Sequence, residues 1–259
     1  MSGFFQVKDL SVRFGGLLAI DSLSFEVREG EVLSLIGPNG AGKTSAFNAI
    51  TGYLPPSAGE VVFRGTRLNG LRPNQIAALG LVRTFQKTSV FGGRSAFENI
   101  LIGLHLRSKQ SALAIMLGLP SVAREERELE MEARRILEFA GLGARAGELG
   151  SALAYGEQRL LEIAVALAAQ PKLLLLDEPV SGMNPVETES FMAKLAEIRA
   201  LGITVLLVEH DMKMVMGVSD RIVCLSQGRV IASGTPAEIR RDPEVIRAYL
   251  GEKYVHAHG

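Results

Sequence analysis

The chain has 259 residues, of which 28 are basic and 28 acidic, so its formal net charge at pH 7 is zero. This balance gives no electrostatic reason to bind nucleic acid, and we expect no nucleic-acid partner. With 47% hydrophobic and 6% aromatic residues, the composition excludes wholesale disorder and a collagen-like chain. The length is sufficient for one large domain or two small lobes.

The cysteine content and the apolar runs indicate a soluble protein. Cys224 is the only cysteine, which excludes an intrachain disulfide and a multi-cysteine metal site, and we expect it to be a small apolar residue in a strand. The first twenty residues carry Lys8, Asp9 and Arg13 and show no secretory signal. Apolar runs are shorter than the ~20 residues that a membrane helix needs. Docking on a membrane protein remains compatible with these features.

The first half of the chain begins with alternating apolar positions, as in strands with one buried face. Runs of this kind over 7–14 and 23–27 predict an antiparallel β portion. A buried strand over 31–36, a glycine-rich turn over 37–42 and a helix over 43–50 follow. Residues 54–84 return to short strands and turns.

Helices and strands alternate in the second half. Helices are predicted over 97–106 and 123–140, and an amphipathic helix from Gly156 to about Ala169. Strands over 172–176, 203–208 and 221–225 and a helix over 186–201 complete the pattern. The alternation predicts an α/β fold with a mainly parallel sheet covered by helices, into which the middle stretch inserts an α-helical lobe.

A phosphate-binding loop is the strongest motif in the sequence. Residues 37–44 read Gly-Pro-Asn-Gly-Ala-Gly-Lys-Thr, between a predicted strand and a predicted helix. In such a loop backbone N–H groups surround phosphate oxygens, Lys43 neutralises them and Thr44 ligates magnesium. The sequence therefore predicts a phosphate-loop NTPase core that uses Mg²⁺.

Two carboxylates follow the aliphatic run at 173–176. Asp177 and Glu178 come where that predicted strand ends, and open α/β sheets bind ligands at the carboxyl edge of their strands. Asp177 is predicted to hold hydrated Mg²⁺, and Glu178 to orient and polarise the attacking water. The simpler alternative is that Asp-Glu-Pro only caps the next turn.

Several weaker motifs occur in the order found in one family, and over 4–251 the sequence resembles the ATP-binding subunits of ATP-binding cassette (ABC) transporters. The resemblance implies that Phe14 stacks on adenine, although a strand aromatic can instead lie in the core. It also implies that Gln86 touches Mg²⁺ and water and links the two lobes. His210 is expected to contact the γ-phosphate, which suits a neutral imidazole with one N–H donor.

The segment Leu-Ala-Tyr-Gly-Glu-Gln at 153–158 resembles the signature of this family and opens a predicted helix. In the family this helix start binds the γ-phosphate held by the other subunit, so that two ATP molecules are sandwiched in a head-to-tail dimer. Ala154 and Tyr155 stand where the usual pattern has Ser and Gly, and Asn184 stands where it has Asp. These differences remove a hydroxyl donor and a negative charge from the expected dimer seam.

The resemblance implies a set of site residues. Catalytic roles are expected for Lys43, Gln86, Glu178 and His210, and Mg²⁺ ligation for Thr44, Gln86 and Asp177. The residues expected to contact ATP are Phe14, Gly37, Pro38, Asn39, Gly40, Ala41, Gly42, Lys43, Thr44 and Ser45, together with Ala154, Tyr155, Gly156, Glu157 and Gln158 of the signature.

Three features are similar to the branched-chain amino acid importer subgroup: Tyr-Gly-Glu-Gln at 155–158, Asn-Pro at 184–185 and Glu-His-Asp-Met at 209–212. The tail over 234–251 is similar too. The expected function is therefore ATP hydrolysis that powers import of branched-chain amino acids. Alternatives are the ATPase of lipopolysaccharide export or of urea or amide uptake, and a soluble non-transport ABC ATPase. An unrelated phosphate-loop kinase or GTPase would not carry the signature.

The resemblance also implies an organisation and a set of partners. A single ABC ATPase domain spans 4–251, with the nucleotide-binding core over 4–86 and 160–235, a helical lobe over 87–159, a C-terminal helical segment over 236–251 and a flexible tail over 252–259. Expected partners are a second ABC ATPase subunit, transmembrane permease subunits and, indirectly, a periplasmic binding protein. The chain would lie peripherally on the cytoplasmic face of the inner membrane. The apolar stretch at Val90, Phe91 and Phe97 either docks the permease or packs inside the helical lobe.

Overall fold

The fold is that of a computed structural model, which describes residues 3–84, 90–105 and 120–250. The chain divides into two compact units. The first contains Met1–Arg83, Lys172–Val180 and Thr188–Gly259, and the second contains Thr84–Pro171 and Ser181–Glu187. The domain boundaries given above stay a prediction.

The described strands all belong to the first unit. They are β1 (Phe5–Phe14), β2 (Leu17–Val27), β3 (Val32–Ile36), β4 (Ala58–Phe63), β5 (Thr66–Arg67), β6 (Leu81–Arg83), β7 (Leu173–Asp177), β8 (Thr204–Val208), β9 (Arg221–Ser226) and β10 (Arg229–Gly234). One sheet has the order β2-β1-β4-β5 and is antiparallel. The other has the order β10-β9-β3-β8-β7-β6 and is parallel except for the β9-β10 pair. The predicted antiparallel portion and mainly parallel sheet are confirmed.

Helices occur in both units. Those of the first unit are α1 (Lys43–Ile50), α2 (Pro73–Ala78), α7 (Met212–Val218), α8 (Pro236–Ile239) and α9 (Pro243–Leu250). Those of the second unit are α3 (Ala96–His105), α4 (Pro120–Phe139) and α5 (Tyr155–Ala168), with short 3-10 turns at Gly143–Arg145 and Gly150–Ala152. Helix α6 (Pro185–Ala200) begins in the second unit and continues into the first. Within the described residues, none of these helices combines the length and the apolar character needed to span a bilayer.

The central strands of the parallel sheet are buried throughout. Every residue of β3, β7 and β8 is buried, as expected for aliphatic strands covered on both faces. Because these strands run parallel, the segments that follow them start at the same edge of the sheet. The glycine-rich turn after Ile36, the pair Asp177 and Glu178, and His210 therefore belong to one edge.

The second unit has its own apolar core, formed by side chains of α3, α4 and α5 and of the segment between α4 and α5. Its buried members are Ala96, Ile100, Leu104, Ala133, Leu137, Ala140, Leu142, Leu153, Leu161, Ala164 and Ala168. Val90 and Phe97 pack against this core, whereas the Phe91 side chain is exposed. The alternative of internal packing therefore holds for Val90 and Phe97.

Three short elements were not among the predicted ones: α2, α7 and β10. Helix α7 follows Asp211, whose side chain accepts the N–H of Met214 over 2.9 Å and caps the helix start. Strand β10 forms a hairpin with β9 through Gln227 and Gly228, which have φ of 49° and 80°. Two residues at positive φ are typical of a tight two-residue hairpin turn. Such turns are usually read in a sequence from Asn-Gly or Asp-Gly, so Gln-Gly at 227–228 did not indicate a hairpin. Cys224 is buried in β9, as predicted.

Candidate functional site

The phosphate loop connects β3 to α1. Gly40 and Gly42 have φ of 81° and 104°, which favours glycine. A Cβ on Gly42 would lie 2.6 Å from Ile20 Cδ1 and 2.7 Å from the Ala19 carbonyl oxygen, so the loop cannot hold a larger residue there without moving. Thr44 is exposed at the start of α1. The loop therefore presents its backbone at the carboxyl edge of the sheet, as the sequence predicts.

Lys43 is folded back over this loop. Its Nζ donates to the carbonyl oxygens of Gly37 and Pro38 over 2.6 and 3.2 Å. Burial lowers the pKa of the Lys43 ammonium, and the negative charges of Glu178 and Asp177 oppose that shift. The Lys43 ammonium therefore interacts electrostatically with both carboxylates that the sequence predicts to act with it.

Asp177 and Glu178 differ in their surroundings. The Asp177 side chain is buried at the end of β7. Glu178 has φ of 48°, an uncommon conformation for a non-glycine residue, and its N–H donates to the Val208 carbonyl oxygen over 2.8 Å. The backbone conformation directs the chain away from β7 at this point, and the Glu178 side chain is partly exposed. A buried and a more accessible carboxylate thus stand side by side.

His210 lies beside Glu178. Its Nδ1 is 3.9 Å from Glu178 Oε2 and 3.5 Å from Glu209 Oε2, and its side chain is exposed. Glu209 is fully buried and accepts three backbone N–H groups: Val180 on Oε1, and His210 and Asp211 on Oε2. Sequence reasoning missed Glu209, although it stands next to His210 in the recognised motif.

Arg83 is a second residue that sequence reasoning missed. Its Nη2 donates to Asp177 Oδ2 over 2.7 Å, and its Nη1 donates to Asn48 Oδ1 over 2.7 Å. The only sequence signal is that Arg83 comes three positions before Gln86. Gln86 itself lies outside the described residues, so its predicted contacts stay a prediction.

Phe14 lies at the end of β1 with 49% of its surface exposed. This exposure excludes the alternative in which Phe14 is a core aromatic. An exposed ring can stack on a planar ligand. The prediction that this ligand is adenine stays open.

The predicted signature opens α5 in the second unit. The Tyr155 hydroxyl donates to the Ser181 carbonyl oxygen over 2.8 Å and accepts from Arg159. Glu157 Oε2 accepts the N–H of Ala154 over 2.9 Å, and Gln158 Nε2 donates to the Leu153 carbonyl oxygen over 2.9 Å. Tyr155, where the usual family pattern has Gly, therefore supplies a side chain that links α5 to the loop at Ser181 by a hydrogen bond.

Asn184 occupies the start of α6. Its Oδ1 accepts the N–H groups of Val186 and Glu187 over 2.9 and 3.0 Å, which makes it a helix cap. Its own N–H donates to Glu187 Oε2 over 2.8 Å. An Asp would supply the same acceptor, so the Asn keeps the cap and removes a charge.

Comparison with known families decides the assignment. A sequence profile described as "ABC transporter" matches residues 20–181, which include the phosphate loop, the signature and both carboxylates. The chain belongs to the ABC transporter family. A second profile, "Branched-chain amino acid ATP-binding cassette transporter", matches residues 229–255. The predicted family is confirmed, and with it an ATP-hydrolysing subunit of a transporter.

Individual ABC proteins are similar over nearly the whole chain. "High-affinity branched-chain amino acid transport ATP-binding protein LivG" of Salmonella typhimurium is 48% identical over 247 residues, 95% of this chain and 97% of that protein. The corresponding protein BraF of Pseudomonas aeruginosa is 45% identical over 248 residues, with the same coverage of both chains. "Lipopolysaccharide export system ATP-binding protein LptB" of Escherichia coli is 34% identical over 247 residues, again with 95% and 97% coverage. The predicted resemblance to the branched-chain importer subgroup is confirmed.

Solved ABC cassettes share the fold. A nucleotide-free ATP-binding cassette from an ABC transporter superposes with a TM-score of 0.84 at 32% identity, covering 97% of this chain and 100% of that chain. A cassette in its ADP conformation gives the same TM-score at 31% identity and the same coverage. The predicted ABC ATPase fold is therefore confirmed.

Proposed function

We propose that this ABC ATPase powers the import of branched-chain amino acids. The observation that carries the proposal is the difference in similarity: 48% identity to a branched-chain amino acid transport protein against 34% to the lipopolysaccharide export protein, at equal coverage. The match of residues 229–255 to a branched-chain transporter profile supports the same substrate class from a separate part of the chain.

The proposed chemistry is hydrolysis of ATP that is bound with Mg²⁺. In the parts of the chain that the structure describes, no group of three or more His, Cys, Asp or Glu side chains is arranged so that it could hold a metal ion by itself. This fits Mg²⁺, which proteins usually hold with one or two carboxylates while phosphates and water complete the shell. Thr44 and Asp177, with Gln86, are the proposed ligands, and bound Mg²⁺ would neutralise charge on the phosphates.

The remaining site residues have separate proposed tasks. Lys43 exchanges its loop carbonyl contacts for phosphate oxygens, because a charged acceptor bonds an ammonium more strongly than a neutral carbonyl does. Glu178 orients the attacking water, and His210, 3.9 Å from it, contacts the γ-phosphate. The other predicted nucleotide contacts lie on the phosphate loop, Phe14 and the signature.

Partners and location are part of the proposal. A second cassette completes each ATP site with its signature, in a head-to-tail dimer. Permease subunits dock on the helical unit. Phe91 is the candidate contact, because 54% of its surface is exposed while Val90 and Phe97 pack against the core of that unit. A periplasmic binding protein delivers the amino acid to the permease. The chain then lies peripherally on the cytoplasmic face of the inner membrane.

Uptake of labelled leucine, isoleucine and valine in cells whose chromosomal copy carries Lys43→Ala tests the substrate class. We expect uptake to fall to the level of a deletion strain. Arg221→Met is the matched control, because Arg221 forms an ion pair with Glu31 at the opposite edge of the sheet from the phosphate loop. Unchanged uptake together with an outer-membrane defect would assign lipopolysaccharide export instead, and loss of urea or amide uptake alone would assign that substrate.

A further inference from the structure

Arg83 is a buried cation that joins two parts of the candidate site. Its side chain is 8% exposed. Nη2 donates to Asp177 Oδ2 over 2.7 Å, and Nη1 donates to Asn48 Oδ1 over 2.7 Å and to Thr51 Oγ1 over 3.2 Å. The guanidinium carbon also lies 5.5 Å from the centre of the Phe47 ring. One planar group therefore holds β7 and α1 in a fixed relation.

The partners of Arg83 explain why this cation is buried here. Burying an ion pair is weak support for stability by itself, since the desolvation cost offsets the attraction. Asp177 is the carboxylate proposed to hold Mg²⁺, and α1 starts with the Lys43 and Thr44 of the phosphate loop. A guanidinium presents several donors in a rigid plane, so it can fix a carboxylate relative to a helix in a way that a lysine cannot.

We propose that Arg83 is a positioning residue for the metal carboxylate. By holding Oδ2 of Asp177 it fixes the orientation of the carboxylate that would hold Mg²⁺ when the nucleotide is bound. It anchors the same carboxylate to Asn48 on the helix that carries Thr44, and to Thr51 directly after that helix. The inference rests on the proposed function, because it requires a metal at this edge of the sheet. Groups that orient metal ligands in this way typically change metal affinity by about 10–100-fold when they are removed.

The test measures binding rather than turnover. A fluorescent ATP analogue is titrated into the full-length protein in excess EDTA, and again over a series of Mg²⁺ concentrations. For Arg83→Met we expect affinity in EDTA within about twofold of the parent, and a Mg²⁺ concentration for half-maximal tightening that is about tenfold higher or more. Arg83→Lys keeps the charge but not the planar set of donors, so its half-maximal Mg²⁺ concentration should lie between those of the parent and Arg83→Met.

Two controls separate positioning from a loss of fold. Arg221→Met removes another partly buried arginine and its ion pair to Glu31, and its Mg²⁺ dependence should equal that of the parent. Thermal unfolding of every variant shows whether the variant folds. If Arg83→Met does not fold, the Mg²⁺ dependence of Arg83→Lys tests the inference instead. Asp177→Asn should lose the Mg²⁺ response altogether.

Three outcomes are decisive. Parental Mg²⁺ dependence in folded Arg83→Met or Arg83→Lys overturns the inference. Tighter Mg²⁺ binding in these variants overturns it too, since it would mean that Arg83 competes with the metal. If the parent binds the nucleotide equally well with and without Mg²⁺, the metal part of the proposed function is wrong, and the inference falls with it.

Discussion

The N–H of Val180 donates to Oε1 of Glu209 over 3.1 Å, although 29 positions separate the two residues in the chain. The other carboxylate oxygen of Glu209 accepts the N–H groups of His210 and Asp211 over 2.7 and 3.1 Å. One buried side chain therefore joins the turn after Glu178 to the segment that carries His210. The relative position of these two site residues depends on it.

Replacement of Glu209 by Gln should lower the rate of ATP hydrolysis about tenfold or more while nucleotide affinity stays near that of the parent. The amide has one acceptor oxygen, so one of the two loops loses its partner, at a cost of about 1–3 kcal/mol. Steady-state hydrolysis and nucleotide titration measure the two effects. Glu189→Gln is the control, because Glu189 is an exposed carboxylate paired with Lys213. A normal rate in Glu209→Gln would contradict the link.

Glu178→Gln should bind ATP with nearly parental affinity and hydrolyse it at least about a hundredfold more slowly, since only the group that orients water changes. Radiolabelled ATP binding and phosphate release measure the two quantities. Glu60→Gln, an exposed carboxylate beside Lys8, should leave both unchanged. Hydrolysis by Glu178→Gln at the parental rate would show that another residue orients the water.

Tyr155→Phe should destabilise the helical unit. The Tyr155 hydroxyl accepts from two nitrogens of Arg159, over 3.1 and 2.9 Å, and donates to the Ser181 carbonyl oxygen. Arg159 is buried, so the loss of an acceptor should cost about 1–3 kcal/mol. Calorimetry should show a Tm lower by roughly 2–12 °C, given about 2–4 °C per kcal/mol for a protein of this size. An unchanged Tm would mean that the hydroxyl contributes nothing to stability.

Gly42→Ala should weaken nucleotide binding about tenfold or more. The new Cβ would lie 2.6 Å from Ile20 Cδ1 at a φ of 104°, so the phosphate loop must shift. Gly30→Ala is the matched control, because Gly30 also has positive φ, at 78°, and a Cβ there meets nothing within 4 Å. Isothermal titration should show weaker binding for Gly42→Ala and parental affinity for Gly30→Ala, and parental affinity for Gly42→Ala would contradict the prediction.

Cys224 should be almost unreactive in the folded protein. Burial raises the pKa of its thiol from 9.0 to about 11, and nearby Asp242 adds to this shift. Only the thiolate reacts, so alkylation at about pH 8.5 should be about a hundredfold slower in the native than in the unfolded protein. Labelling that is equally fast in both states would contradict this burial.

The same shift predicts a pH dependence of stability. The folded pKa lies above the unfolded value, so this contribution is fully present below about pH 9 and is lost as the pH rises through about 11. Urea titrations of the parent and Cys224→Ala across this range should show a steeper loss of unfolding free energy in the parent. Parallel curves would contradict the prediction.

Much of the fold and of the site could be predicted from the sequence because the signals are local. The helix Lys43–Ile50 and the phosphate loop before it are encoded by adjacent residues, and the five buried residues of β7 form an uninterrupted run that ends in Asp177. Short elements such as Pro73–Ala78 lack the length over which periodicity can be read. No sequence pattern indicated the role of Glu209, because the three backbone N–H groups that it accepts belong to loops, and loop conformation has no periodic pattern in the sequence.

The sequence by itself determined the family, the phosphate loop, the pair Asp177 and Glu178, and the succession of the longer strands and helices. Only the tertiary structure decided which distant groups meet there. Arg83 bonds Asp177 across 94 positions because β6 pairs with β7 in the sheet. Strand order results from burying all strands and helices at once, and a partner that a neighbouring strand supplies leaves no trace in the local pattern of residues.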